Sequence, residues 1–284
     1  MFKKNIVVLF FVFPLLMVAQ GDLLNEIDTV AQPNESVSSA FKSLKIVNLE
    51  STKLASKGDL FFVVAHRFGY FDKGFDNFFG LDNANTRLQF VYGLSDKVNL
   101  QISRSGFQKA YEFAAKYKLI SQKTTGSPFD VVGFNSVTIN SELEKTVLPK
   151  IEFSDRLAYV TQILVSRKFN DNLTLELVPT HFHENYVANN FQDNSQFALG
   201  LGGRYKFTKR WSFNMDYVAH LNRTETSDFK NPLSIGFDLE TGGHVFQMHF
   251  TNSQAMHESG YLGSTSGDWG KGQIAFGFNL IRVF

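Results

Sequence analysis

The chain has 284 residues, 43% of them hydrophobic, and a formal net charge of +1. That balance excludes a basic nucleic-acid surface and an acidic tail, so no nucleic-acid partner is expected. With no cysteine present, disulfides, thiolate zinc sites, iron–sulfur clusters, Cys nucleophiles and a lipid-modified Cys anchor are excluded.

Residues 1–20, "MFKKNIVVLFFVFPLLMVAQ", join basic Lys3 and Lys4 to an apolar run from Ile6 to Val18, with small Ala19 at a plausible cleavage point. This is the pattern of a secretory signal peptide. An apolar run of about 13 residues is short for a retained membrane anchor. Removing Lys3 and Lys4 with it takes the formal charge from +1 to −1. Residues 21–57 are polar, poor in aromatics and without a sustained period. They read as an N-terminal periplasmic segment outside the main sheet, with one short helix at Leu23–Val30. Such a segment is either a linker or a small plug inside a barrel.

From Gly58 to Phe284 the texture changes. Aromatics dominate the apolar class, with 31 Phe and 9 Tyr against 2 Trp, a bias toward strands and membrane interfaces. Segments of about ten residues alternate apolar with polar or small, the period of half-buried strands. In "WSFNMDYVAHL", Trp211, Phe213, Met215, Tyr217 and Leu221 oppose Ser212, Asn214, Asp216 and His220. "FALGLGGRYKF" (Phe197–Phe207), "LSIGFDLE" (Leu233–Glu240) and "VNLQISRS" (Val98–Ser105) repeat the pattern. Twelve such segments are predicted; Tyr111–Ile120, "YEFAAKYKLI", fits one or two turns of helix as well as a strand. Short connections near 94–97, 121–128, 170–171, 209–210 and 241–243 alternate with longer ones over 69–82, 106–110, 140–154, 184–195, 223–231 and 254–271. That layout belongs to an antiparallel transmembrane β-barrel of about twelve strands, with short periplasmic turns and longer extracellular loops.

Alternation alone also fits a soluble all-β sandwich. Three features favour the membrane barrel. Small residues (Gly200, Gly202, Gly236, Ala275, Gly277) sit on the polar face, as a crowded interior needs. Aromatics recur near strand ends (Tyr92, Tyr111, Phe169, Phe207, Trp211), as interfacial girdles do. The leader directs the chain out of the cytoplasm. Outer-membrane lipid is then the partner of the apolar face.

The inward parity selects Arg87, Glu176, Arg204, Asp216, Asp238, Glu240, Gln247, His249 and Thr251 as lumen-lining candidates, together with Glu112, Lys116, Lys118, Asp130 and Lys206. Their mixed signs leave ion selectivity open. His249 needs a buried partner, with Arg204, Asp216, Asp238 and Glu240 within reach by sequence. The network reads as structural filling or as a lining that contacts a solute. His181 and His183 share a face, but with the outward parity of Leu173, Leu175 and Leu177, so a rim position outranks a metal site; neither metal nor cofactor is expected. G-x-S-x-G, H-E-x-x-H and P-loop signatures are missing. Ser253, His257 and Glu258 could form a hydrolytic set in loop 254–271, but their spacing is not diagnostic and no enzyme is expected. Trp269, in "GDWGKG", reads as an interfacial anchor.

The final strand, "GQIAFGFNLIRVF", alternates outward Ile274, Phe276, Phe278 and Leu280 with inward Gln273, Ala275, Gly277 and Asn279. It should close the barrel against residues 60–68, leaving no edge in lipid. Phe276, Phe278, Leu280 and Phe284 resemble the aromatic signature read by barrel-insertion machinery.

"AHRFGYFDKGFDNFFGLDNANTRL" (Ala65–Leu88), "FALGLGGRYKFTKRWSFN" (Phe197–Asn214) and Ser234–Phe284 resemble an uncharacterised family of predicted outer-membrane β-barrels, domain of unknown function 5777. The resemblance runs from about Phe41 onward. It implies a barrel in the bacterial outer membrane and carries no substrate, cofactor or catalytic residue. The functional expectation is a narrow passive channel or binding scaffold for a small-molecule solute. The alternative is a structural barrel with a closed lumen, acting through loops such as 69–82 and 254–271; a barrel enzyme acting on lipids ranks third.

Overall fold

Twelve antiparallel strands close on themselves in the computed structural model, which describes residue 37 and residues 39–188, 192–241 and 244–284. The leader read over 1–20 and the helix read at Leu23–Val30 lie outside the described residues. The strands are β1 (Leu60–Tyr70), β2 (Ala84–Ser95), β3 (Val98–Ser105), β4 (Tyr111–Ile120), β5 (Asp130–Ile139) and β6 (Leu157–Lys168), followed by β7 (Leu173–Glu184), β8 (Ser195–Lys206), β9 (Trp211–His220), β10 (Leu233–Thr241), β11 (His244–Thr251) and β12 (Ala275–Val283). Each pairs with its neighbours in sequence, and β12 returns to β1 with Phe61 opposite Val283 and Arg67 opposite Gly277. Closure satisfies every strand's backbone groups without an edge. Tyr111–Ile120, ambiguous in sequence, is a strand paired with β3 and β5.

Burial follows the period of two. On β9, Ser212, Asn214, Asp216 and Val218 are buried while Met215 is exposed, and on β11 Gln247, His249 and Thr251 are buried between exposed Phe246, Met248 and Phe250. The outward aromatics stack laterally around the closure: Phe68 on Phe276 at 5.9 Å, Phe250 against Phe276 at 5.6 Å and Phe71 against Phe250 at 6.0 Å. β5 inverts the rule in part: Phe134 is buried inward, while outward Asn135 accepts from the Tyr117 hydroxyl and donates to Thr161. Among the described residues no helix is long and apolar enough to cross a membrane.

Among the described residues, two segments occupy the barrel interior. Residues 39–57 enter at the short-turn end and leave there: Val37 N–H donates to the Gln122 carbonyl in the β4–β5 turn, and Lys57 N–H to Asp96 in the β2–β3 turn. Between these points the chain folds into a tight hairpin, with Ile46 N–H on Leu49 O at 2.8 Å and Ser51 N–H on Leu44 O at 2.9 Å. From the opposite end, the β11–β12 connection turns inward. Its short helix α1 (Glu258–Gly263) is buried at every residue. This corrects the expectation of 254–271 as an external loop. The physical reason is chemical: Tyr261 and Leu262 need apolar neighbours, and Glu258 meets the charges of the wall.

The interior side chains make two apolar clusters among the described residues: a smaller one of Leu44 and Ala55 with Phe61, Val63, Val91 and Ile281 of the wall, and a larger one spanning all three parts. Phe41, Ile46 and Leu49 of the hairpin segment share it with Phe134, Leu164 and Phe182 of the wall and with Tyr261 and Leu262 of α1. Glycines make the room. A Cβ on Gly200 would lie 2.9 Å from Leu49 Cδ2, and one on Gly202 would collide with the end of Ile46.

Candidate functional site

The candidate site is the inner wall where it meets these two segments. All nine lumen-lining candidates are on the inward face. Arg87, Glu176, Arg204, Asp216, Asp238, Gln247, His249 and Thr251 are buried; Glu240, near the short-turn rim, keeps 18% of its side chain accessible and pairs with Arg204. Outward positions go to Phe276, Phe278 and Leu280, and Phe284 is exposed with the Arg282 guanidinium 4.6 Å over its ring. His181 is also outward, packed on Phe197 at 5.0 Å. Among the described residues no group of three His, Asp or Glu is arranged to hold a metal ion.

The hairpin tip is held by one carboxylate. Asp216 Oδ2 accepts the main-chain N–H groups of Val47, Asn48 and Leu49 at 3.0, 2.6 and 3.0 Å. Three successive amides converging on one oxygen form an anion-binding nest. Asn48 is gripped from its other side: its Oδ1 accepts from Arg67 Nη1 at 2.9 Å, and its Nδ2 donates to Ser234 at 2.9 Å. Further along, Lys116 Nζ donates to Leu44 O, Ser51 O and Lys53 O and lies 2.6 Å from Glu50. Glu176 accepts from Thr52 N–H at 3.0 Å.

Lys45 joins the hairpin to the inward loop. Its ammonium pairs with Glu258 and, at 3.1 Å, with Glu50. Arg87 lies 2.6 Å from Glu112 and 3.8 Å from Glu258. Three cations and three carboxylates thus interlock where the two segments meet, so each buried charge has an opposite neighbour. Burial works to lower the Lys45 amine, but Glu258 and Glu50 outweigh it and leave it above its ordinary value. Burial, followed by the charge of Glu112, raises the Glu258 carboxyl. Burial and then Arg87 push the His257 imidazole down to about 3.

His249 finds a partner other than those in reach by sequence. Its Nε2 lies 3.2 Å from Arg67 Nη2, on β1. Arg67 is a wall residue that alternation missed, because "LFFVVAHRFGY" is apolar on both faces. The signal lay in the closure register: Arg67 pairs with Gly277, whose inward direction is legible. The loop triad does not assemble. Ser253 Oγ donates to Ala255 O at 3.2 Å and His257 Nε2 meets Gln108 Oε1 at 3.1 Å, so neither engages the other.

Between hairpin and wall, lined by Lys45, Arg67, Arg87, Gln247 and Asn279 among others, remains a cavity of about 20 Å³. That is room for about one water.

The model of a family described as "Membrane bound beta barrel domain (DUF5777)" matches residues 41–284. None of the curated proteins compared with the chain matches it. Solved structures similar to it include a KdgM porin, at 9% identity over 80% of this chain and 99% of that one, TM-score 0.48. A NanC porin is similar at 9% identity over 79% and 98%, TM-score 0.49. A triple mutant of the Rhodopseudomonas blastica porin is similar at 12% identity over 70% and 55%, TM-score 0.33.

Proposed function

This chain belongs to the membrane-bound β-barrel family DUF5777, and we propose that it is a gated channel of the bacterial outer membrane, admitting a small polar solute when segment 39–57 leaves the lumen. One observation carries the reading. The wall charges hold the hairpin chiefly through its main-chain amides and carbonyls, contacts that water or a solute can replace one for one. Departure of the hairpin would free the buried charges Asp216, Glu176 and Lys116 to meet water or a solute, beside an apolar wall stripe of Phe134, Leu164 and Phe182. In this reading lipid meets the outward aromatics, the leader supplies export, and barrel-insertion machinery reads Phe276, Phe278, Leu280 and Phe284.

A second reading has its own support. The apolar cluster around Phe41, Ile46 and Leu49 and the small residual cavity suit a permanently closed barrel that works through its external loops. Planar-bilayer recordings separate the two. The unmodified protein should show rare, brief openings, and Lys45→Ala/Glu50→Ala, which unties the hairpin from loop and wall, should open often. Silence from both, with insertion intact, would establish the closed barrel.

A further inference from the structure

The inner wall sorts main-chain groups by sign. Its cations take carbonyls: Lys116 those of Leu44, Ser51 and Lys53 at 3.1, 3.0 and 3.2 Å, Arg67 those of Ser253 and Ala255 at 3.0 and 2.7 Å, Arg87 that of Met256 at 2.7 Å. Its carboxylates take amides: Asp216 those of residues 47–49, Glu176 that of Thr52 at 3.0 Å, Glu112 that of Glu258 at 3.1 Å. The hairpin and the inward loop are unrelated in sequence and enter from opposite ends. The same pairing holds both, so the wall reads the peptide backbone in addition to the side chains of Asn48, Glu50 and Glu258.

At one point both signs grip a single peptide unit. Lys116, on β4, bonds the Ser51 carbonyl, and Glu176, on β7, bonds the N–H of Thr52 in the same amide, each at 3.0 Å. The amide dipole lies along that axis, with its oxygen toward the cation and its N–H toward the carboxylate. A donor on β4 and an acceptor on β7, three strands apart, favour a solute carrying both partners in fixed relation. A hydroxylated solute could use either group but has no amide dipole to align.

Resting on the gated-channel reading, we propose that the solute is a short peptide, bound through its main-chain amides and free termini in the place the hairpin vacates. The hairpin is then an internal stand-in for its own cargo, and cargo competes with its main chain for Lys116, Glu176 and Asp216. Selection among peptide side chains would be weak.

Liposome swelling with Lys45→Ala/Glu50→Ala protein tests this, using triglycine against glucose, a neutral solute of similar mass. Triglycine should enter about tenfold faster, the ratio expected from one charge-assisted hydrogen bond gained. Adding Lys116→Gln/Glu176→Gln should bring that ratio close to one. Independently, in the unmodified protein, millimolar triglycine should speed amide hydrogen exchange over residues 44–53, and glucose should not. Equal entry of the two solutes, with hairpin exchange indifferent to triglycine, would overturn the peptide proposal and leave the channel standing. No entry of either solute, together with silent bilayers, would remove the channel and the proposal with it. Should the double variant fail to fold, the exchange measurement decides alone.

Discussion

Replacing Asp216 is the sharpest perturbation of the lumen. Its Oδ2 accepts three main-chain hydrogen bonds at 3.0, 2.6 and 3.0 Å, and Asp216→Ala leaves all three amides of the hairpin tip without a partner. At about 2 kcal/mol net per bond to a charged group, the loss is about 6 kcal/mol, which raises the population of released hairpin about 10⁴-fold. Asp216→Asn keeps an oxygen in place and removes only the charge. Charge-assisted bonds being about twice as strong as neutral ones, it should cost about half as much and release the hairpin about 10²-fold. Hydrogen exchange followed by mass spectrometry over residues 40–56 reads this population directly while opening is fast relative to exchange. The barrel strands supply the internal control and should stay protected. Unchanged exchange at 47–49 in the Ala variant, or a larger effect from Asn than from Ala, would show that the nest does not hold the hairpin.

Gly200→Leu should expel the hairpin by volume, because an added Cβ alone comes within 2.9 Å of Leu49; open-state bilayer events should rise with no charge altered. The His257 imidazole is pushed down to about 3 from an ordinary 6.5. The inward loop is therefore fully favoured above pH 6.5 and loses up to about 1.4 kcal/mol per unit as pH falls toward 3. The raised Glu258 carboxyl acts in the opposite sense, so the comparison must be with His257→Gln: between pH 7 and pH 5 the unmodified loop should weaken by about 2 kcal/mol more than the variant, read by exchange over 252–265. Equal pH responses would place the titration elsewhere. Phe278→Arg puts a charge on the outward face of β12 and should destabilise the barrel in lipid by about 2–4 kcal/mol; Asn279→Ser, one residue on and inward, should cost far less. Similar costs would reverse the assigned faces.

The barrel itself was legible because a strand with one apolar and one polar face writes its orientation into every second residue. β9 and β11 show this without ambiguity. Where both faces carry apolar groups the signal fails: Arg67 in "LFFVVAHRFGY" and Phe134 in "DVVGFNSVTI" point inward among residues that alternate poorly. Asn135 could not be read as outward, because its partners Tyr117 and Thr161 lie on neighbouring strands, and such pairings depend on register.

The filling of the lumen was illegible for a different reason, which follows from how the wall makes its contacts. A segment recognised by its side chains must carry a pattern, and a pattern can be read. A segment recognised by its amides and carbonyls need carry little, since every residue supplies the same groups. Residues 39–57 accordingly show no period, and the inward loop looks like any Gly- and Ser-rich connection. The specificity sits instead in the wall, in Asp216, Glu176, Lys116, Arg67 and Arg87, and all but Arg67 could be placed there from alternation. Side chains on the hairpin add what the backbone cannot. Lys45 ties it to Glu258, and Ile46 and Leu49 fit over Gly202 and Gly200. A hairpin held mainly by interchangeable main-chain contacts and fixed in register by a few side chains can be displaced by another backbone, and it returns to a single position when that backbone leaves.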